Sequence, residues 1–139
     1  MITIETVDLS SKQQVNEFVQ FQYDLYKGVK QFCPPFFNDI KLMLNKEKHP
    51  FFKRSEGEFL VAKKDGKIAG RLGIFINKPF NEYHNVNKAQ FYLFECIDDQ
   101  EVANQLFEKA FAWCRERGMT EVIGPKGLSS FDGYGILVE

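Results

Sequence analysis

The sequence has 139 residues, with 18 Lys and Arg against 19 Asp and Glu, and 44% of its residues are hydrophobic. This length suits one domain with a core of its own, so a single domain over residues 1–139 is expected, and the composition excludes a disordered chain. The net charge of −1 argues against a nucleic-acid partner, because such proteins carry a basic surface. The absence of a long apolar segment argues against a membrane partner.

The cysteines and histidines do not form a metal-binding pattern. Cys33, Cys96 and Cys114 are odd in number and lack metal-site spacing, which favours reduced thiols and a cytoplasmic location. His49 and His84 are far apart in the chain, without a matching pair of Cys or Asp residues. No metal site is therefore predicted.

The first part of the chain predicts a strand followed by two helices. Apolar and polar residues alternate over residues 1–7, as in a half-buried strand. The next apolar residues recur at helical spacing, and they predict a helix that begins at Ser10-Ser11 and ends at Gly28. After two prolines, which exclude a helix interior, a second helix is expected over residues 38–45.

A β-hairpin is the clearest local pattern in the middle of the chain. Strand-like segments over residues 58–64 and 67–77 flank the pair Asp65-Gly66. This pair favours a tight turn, because glycine adopts positive φ without steric cost. In the second strand, Gly70 and Gly73 predict a bulge or a close approach of another segment.

The rest of the chain predicts a helix between two strands. Residues 78–88 are predicted to form a polar loop, followed by a central strand over residues 89–97. Asp98 is expected to cap a helix that ends at Gly118, and a short strand follows over residues 120–123. Because strand–helix–strand crossovers are right-handed and parallel, the last two strands are predicted to pair in parallel. The expected fold is α/β, with helices packed on one mixed sheet.

Several short segments carry a resemblance to known proteins. They are Phe32–Phe37, Asp39–Leu44, His49–Phe52, Asp65-Gly66, Gly70-Arg71, Phe94-Glu95 with Asp98-Asp99, and Gly124-Pro125. In these segments the chain is similar to the N-terminal half of a group of larger bacterial proteins. Its order of elements resembles the first five strands and three helices of the GCN5-related N-acetyltransferase (GNAT) fold. The resemblance implies a GNAT-like acyltransferase-related domain of unknown substrate, without the C-terminal helix and strands of the full fold.

The resemblance also implies a cofactor, acetyl-CoA or another acyl-CoA, held by its diphosphate on a glycine-rich loop before the helix that follows the fourth strand. Backbone N–H groups at a helix N-terminus bind anions well. Here that junction, residues 97–104, has no glycine and contains Asp98, Asp99 and Glu101. Because like charges repel, this departure disfavours the standard diphosphate site, and the cofactor is left unknown.

Two residues are candidate catalytic groups. The resemblance places Glu95 on a strand that faces the cleft, where a buried carboxylate with a raised pKa accepts an amine proton. The alternative is a carboxylate that is hydrogen-bonded at the end of a sheet. His84, together with Glu82, is a candidate proton shuttle or half of a metal site, and the alternative there is a polar cluster on a surface loop.

The distribution of charge leaves a second class of function open. Residues 41–78 hold ten basic and four acidic residues, a net of +6, and residues 82–121 hold four basic and eight acidic residues, a net of −4. Opposed charge blocks of this kind permit assembly into a homo-oligomer. The alternative to acyl transfer is therefore a non-catalytic module that binds a small-molecule ligand or another protein.

Overall fold

The computed structural model describes residues 1–129 and 132–136, and all structural statements refer to these residues. The elements are β1 (Ile2–Thr6), α1 (Lys12–Leu25), α2 (Phe37–Met43), a 3₁₀-helix (Pro50–Lys53), β2 (Glu56–Lys64), β3 (Lys67–Ile76), α3 (Lys78–His84), β4 (Lys88–Cys96), α4 (Gln100–Glu116) and β5 (Glu121–Ile123). The five strands form one sheet in the order β1-β2-β3-β4-β5. Neighbouring strands are antiparallel except β4 and β5, which are parallel and joined through α4. The predicted mixed α/β sheet is confirmed.

The predicted hairpin joins β2 to β3. Asp65 and Gly66 both have positive φ, 52° and 80°, as a two-residue hairpin turn requires. The predicted close approach at Gly70 is confirmed, because a Cβ atom at this position would lie 2.8 Å from Cδ1 of Leu106. The backbone of β3 therefore lies directly against α4.

The sheet separates two apolar clusters. On one face, Phe18 of α1 belongs to the same buried cluster as Phe75 of β3. On the other face, Leu106 of α4 packs in a cluster with Leu72 and Ile74. Successive side chains of β3 point to opposite faces, and both faces are covered, so this strand is buried almost throughout.

The segment predicted as a polar loop over residues 78–88 contains a helix, so the structure has four α-helices where three were predicted. The oxygen Oδ1 of Asn77 accepts a hydrogen bond from the backbone N–H of Phe80 at 3.1 Å and caps the first turn. Pro79 lies in that turn, where it removes no helical hydrogen bond, and Asn85 ends the helix with a left-handed φ of 51°. The capping residues at both ends therefore stabilise a helix despite the polar composition of this segment.

Helix α1 is shorter than predicted at its C-terminal end. The predicted N-terminal cap is confirmed, because Oγ of Ser11 accepts a hydrogen bond from the backbone N–H of Gln14 at 3.3 Å. The helix ends at Leu25, with Tyr26 as its C-terminal cap, rather than at Gly28. Tyr26 thus lies at the C-terminal end of α1.

Leu106 provides a test of the packing between β3 and α4. We expect Leu106→Ala to lower the free energy of unfolding by about 2–5 kcal/mol, because it leaves a cavity against the sheet. The matched control is Leu42→Ala at a side chain that is 45% exposed, for which we expect a small change. Urea denaturation of both variants measures the difference, and equal losses would contradict the packing described here.

Candidate functional site

Strand β4 carries a bulge near its carboxyl end. Between Tyr92 and Glu95, β4 contains one residue more than the facing stretch of β3. Leu93, within the bulge, has a left-handed φ of 62°, which is uncommon for a residue other than glycine. The parallel pairing with β5 covers only Lys88–Gln90. The bulge therefore lies beyond the paired part of β5, and side chains there are aimed differently from those of a regular strand.

A cavity of about 330 Å³ lies against this bulge. Its walls come from α1, the segment that follows α1, the bulge itself and the chain after β5. They include Gln22, Tyr26, Phe32, Cys33, Arg71, Tyr92, Leu93, Phe94, Glu95 and Pro125. Apolar and aromatic walls with a few converging polar groups are typical of small-molecule sites.

Glu95 is the half-buried carboxylate of this cavity. The Tyr26 hydroxyl donates a hydrogen bond to its Oε2 at 2.5 Å, and Nε2 of Gln22 donates one to its Oε1 at 3.0 Å. Burial raises the pKa of Glu95 above its ordinary value, although the Tyr26 hydrogen bond and the positive charge of Arg71 act in the opposite direction. The result is a carboxylate that is more basic than an exposed one.

Arg71 lies directly across from Glu95 on β3 and is 1% exposed. Its Nε donates to the carbonyl of Leu93 at 3.0 Å, its Nη1 to the carbonyl of Phe18 at 2.8 Å, and its Nη2 to Oε1 of Gln22 at 3.0 Å. Burial lowers the pKa of Arg71 to about 10, so the guanidinium stays charged at neutral pH. This cation joins α1, β3 and the bulge of β4.

The Tyr26 phenol does not ionise near neutral pH, so it does not compete with Glu95 as an acid–base group. Burial, followed by the hydrogen bond to Glu95, raises the pKa of the Tyr26 phenol to about 12. The phenol therefore stays protonated and acts as a donor toward the carboxylate.

His84, the other predicted catalytic residue, lies at the far end of β4. It ends α3, is exposed, and contacts the rings of Phe80 and Tyr83 with centroid distances of 4.4 and 4.9 Å. At about 3.3 Å per residue, the length of β4 puts roughly 20 Å between this region and Glu95. The structure does not bring His84 into the cavity, and its catalytic role stays a prediction.

The N-terminus of α4 is capped by the side chain of Asp99, its N-cap residue. Oδ1 of Asp99 accepts from the backbone N–H of Glu101 at 3.0 Å, and Oδ2 binds Nζ of Lys64 at 2.5 Å. The capping residue is Asp99 rather than the predicted Asp98, and its bond to Lys64 lowers the pKa of the Asp99 carboxyl. A diphosphate here would compete with this carboxylate for the helix N–H groups and meet further negative charge, so the junction fits a diphosphate poorly.

Three residues of the site were not found from the sequence. Arg71 is the single charge within the apolar run of residues 68–76 in β3, which is the pattern of a buried functional or structural cation. Gln22 and Tyr26 are four residues apart, at the end of the apolar stripe of α1, so they lie on the same side of the helix. Their link to Glu95 depends on contacts across 73 and 69 positions of sequence, which no local pattern contains.

Among the described residues, Cys33, Cys96 and Cys114 are free thiols. Within residues 1–129 and 132–136, no group of three His, Cys, Asp or Glu side chains is placed to hold a metal ion, and no helix is long and apolar enough to cross a membrane. Burial raises the pKa of the Cys96 and Cys114 thiols to about 11. Cys33 is exposed and lines the cavity, so its thiol is accessible to reagents there.

Comparison with known proteins identifies the family. Residues 23–124 match the Acetyltransferase (GNAT) family. The chain is 30% identical over 129 residues to Protein YghO of Escherichia coli K12, covering 93% of this chain and 33% of that protein. It is 26% identical over 137 residues to Bacterial ceramide synthase of Caulobacter vibrioides, covering 97% of this chain and 35% of that protein. It therefore spans about a third of these relatives, rather than the half that the resemblance implied.

A solved structure agrees with the family match. A tandem GNAT protein from the clavulanic acid biosynthesis pathway aligns with a TM-score of 0.70 and 12% identity, covering 88% of this chain and 35% of that chain. At this identity the likeness concerns the fold alone, and the fold it shows is the one built here from five strands and four helices. From the family match and the fold together, the chain belongs to the GNAT acetyltransferase family.

Proposed function

We propose that this chain is an N-acyltransferase domain in which Glu95 is the general base. The observation that carries the proposal is the half-buried Glu95 carboxylate, with a raised pKa, in a cavity at the bulge of β4. A base of this kind is needed because an amine is protonated in water and attacks a carbonyl only after it loses a proton. The family match supports this class of reaction.

The chemical roles follow from the contacts of Glu95. In the transfer, the ammonium first gives one proton to Glu95, the free amine nitrogen then bonds to the carbonyl carbon of an acyl thioester, the carbon–sulfur bond breaks, and the leaving thiolate takes up the second N–H proton. Tyr26 and Gln22 each donate one hydrogen bond to the carboxylate and hold its orientation. Each carboxylate oxygen keeps further acceptor capacity for the incoming proton.

The acceptor that we propose is an amine with a long alkyl chain. One relative is named Bacterial ceramide synthase, and a ceramide is an amide of a long-chain amino alcohol. An open groove of about 770 Å³ runs along α1 and is lined by Phe21, Leu25 and Ile97 together with the carboxylates Glu17 and Asp24. Apolar walls suit an alkyl chain, and the amine of the same molecule is the group that Glu95 deprotonates.

Glu95→Gln tests the proposed base. We expect the rate of amide formation to fall by about 10²–10³-fold, because glutamine keeps the shape of the side chain and accepts no proton. The assay uses the 139-residue chain with acetyl-CoA or palmitoyl-CoA as donor, sphinganine or octylamine as acceptor, and mass spectrometry of the amide. Glu108→Gln, at an exposed residue of α4, is the matched control, and an unchanged rate in Glu95→Gln would contradict the proposal.

Tyr26→Phe tests the origin of the pKa of Glu95. The Tyr26 hydrogen bond lowers that pKa, so its removal raises the pKa further above the ordinary value. Because the base works only when ionised, activity lies above this pKa, and we expect the acidic limb of the pH–rate profile to move to higher pH. Tyr83→Phe, at a residue that is 86% exposed, is the control. A limb that stays in place would show that another group titrates there.

The capped end of α4 predicts how the thioester donor is recognised. Since that helix end fits a diphosphate poorly, we expect acetyl-CoA and the truncated thioester S-acetyl-N-acetylcysteamine to have KM values within about tenfold of each other, a difference below about 1.4 kcal/mol. Steady-state kinetics with both donors measures this, and Asp99→Asn is the variant that removes the charge while keeping an acceptor for the cap. A KM for acetyl-CoA that is a hundredfold lower would contradict the prediction.

The capped helix end also favours a second candidate, a non-catalytic binding module. Its negative charge removes the usual reason for a GNAT domain to hold an acyl-CoA at that position. If neither donor yields an amide and acetyl-CoA produces no heat in calorimetry at millimolar concentration, acyl transfer fails and the binding module is favoured. Sedimentation at several protein concentrations then tests the homo-oligomer that the opposed charge blocks predict.

A further inference from the structure

Arg71 is a buried cation whose direct hydrogen bonds go to oxygen atoms of neutral groups. Three of these are the carbonyl of Leu93 in the bulge and the carbonyls of Phe18 and Val19 in α1, with donor–acceptor distances of 3.0, 2.8 and 3.4 Å. The fourth is the side-chain oxygen of Gln22. Burying a charge is costly unless its donors are satisfied, so this set of acceptors holds the guanidinium in one orientation.

The chemistry of Arg71 determines which way the Gln22 amide points. A guanidinium only donates hydrogen bonds, so it binds the oxygen of the amide and turns the NH₂ group away. That NH₂ group meets Oε1 of Glu95 at 3.0 Å, and a carboxylate only accepts. A reversed amide would place donor against donor and acceptor against acceptor, so one orientation is selected at both ends.

The same guanidinium stabilises the backbone of the bulge. Leu93 adopts a left-handed φ, and its carbonyl accepts from Nε of Arg71. Glu95 follows two positions later in the bulge, so fixing the direction of the Leu93 carbonyl restricts the backbone that carries the Glu95 side chain. Other groups facing this carboxylate are Tyr26 from α1 and, beside Arg71, Tyr92 of β4.

We propose that Arg71 is a positioning residue for Glu95, which it orients through the Gln22 amide and through the carbonyl of Leu93. This inference rests on the proposed function in one respect, namely that the Glu95 carboxylate is the group whose position affects acyl transfer. Arg71 itself contacts no reacting atom in this scheme. Arg71 determines the position of the Glu95 carboxylate and which donors hydrogen-bond to it.

The first measurement follows the Glu95 carboxyl directly, without a substrate. Carbon-detected NMR titration of the glutamate carboxyl groups gives the pH midpoint of each, and the signal absent in Glu95→Gln identifies Glu95. In Gln22→Met we expect this midpoint to rise, because a donor to the charged form is lost. Lys67→Met, an exposed residue of the same strand β3, removes the same charge as Arg71→Met and is the control for a general electrostatic effect.

A double-mutant cycle then separates positioning from charge. If Arg71 orients Gln22, then Gln22→Met has a smaller effect on the midpoint in an Arg71→Met background than in the wild-type chain. Arg71→Lys keeps the charge but lacks the planar set of donors. We therefore expect it to shift the Glu95 midpoint less than Arg71→Met does, and to lower kcat about tenfold with KM little changed. Additive effects in the cycle would overturn the proposal.

Folding failure and failure of the proposed function give different results. If Arg71→Met does not fold, Gln22→Met decides, and an unchanged Glu95 midpoint together with an unchanged kcat overturns the inference. If the wild-type chain transfers no acyl group, the proposed function fails on the kinetic assay. The NMR cycle still reports whether Arg71 positions the carboxylate, because it needs no turnover.

Discussion

The buried charge of Arg71 constrains the arrangement of α1, β3 and β4. A guanidinium that is 1% exposed must find oxygen acceptors inside the protein, and it finds them in the backbone of α1, the bulge of β4 and the side chain of Gln22. Moving α1 along the sheet would leave a buried cation without acceptors, which costs more than a shift in apolar packing. The apolar clusters hold the helices on the sheet, and this polar contact sets the register of α1 against β3 and β4.

Glu95, near the end of β4, and Asp99, at the start of α4, have carboxyl pKa values that are shifted in opposite directions. In the cavity, the carboxylate of Glu95 is half-buried and its pKa is raised by burial, so it has a stronger affinity for a proton than a surface glutamate. At the start of α4, Asp99 is bound to the helix N–H of Glu101 and to Lys64, and its pKa is lowered. One carboxylate is therefore suited to take up a proton, while the other is held ionised as part of the helix cap.

How much of the fold and of the site can be predicted from the sequence depends on how far apart in the sequence the contacting residues lie. Local patterns gave the hairpin at Asp65-Gly66 and the parallel crossover into β5, because each depends on turn chemistry or periodicity within a short window. They missed α3, whose caps at Asn77 and Asn85 outweigh a polar composition. The candidate base Glu95 came from a resemblance. Its partners Arg71, Gln22 and Tyr26 were not predicted, because strand register and the position of α1 bring them to Glu95. The extent of the single domain over residues 1–139 stays a prediction.

The hydrogen bonds around Glu95 oppose the effect of its burial, and the balance determines how such a carboxylate can act. Burial by itself favours the protonated carboxyl, and a protonated carboxyl accepts no proton from an amine. Three groups, Tyr26, Gln22 and Arg71, favour the ionised form and limit the rise of the pKa. They also fix the direction of both oxygens, because the two hydrogen-bond donors approach different ones. Burial makes the Glu95 carboxylate more basic than an exposed glutamate, the hydrogen bonds favour its ionised form, and the bulge of β4 is where the fold supplies both influences together.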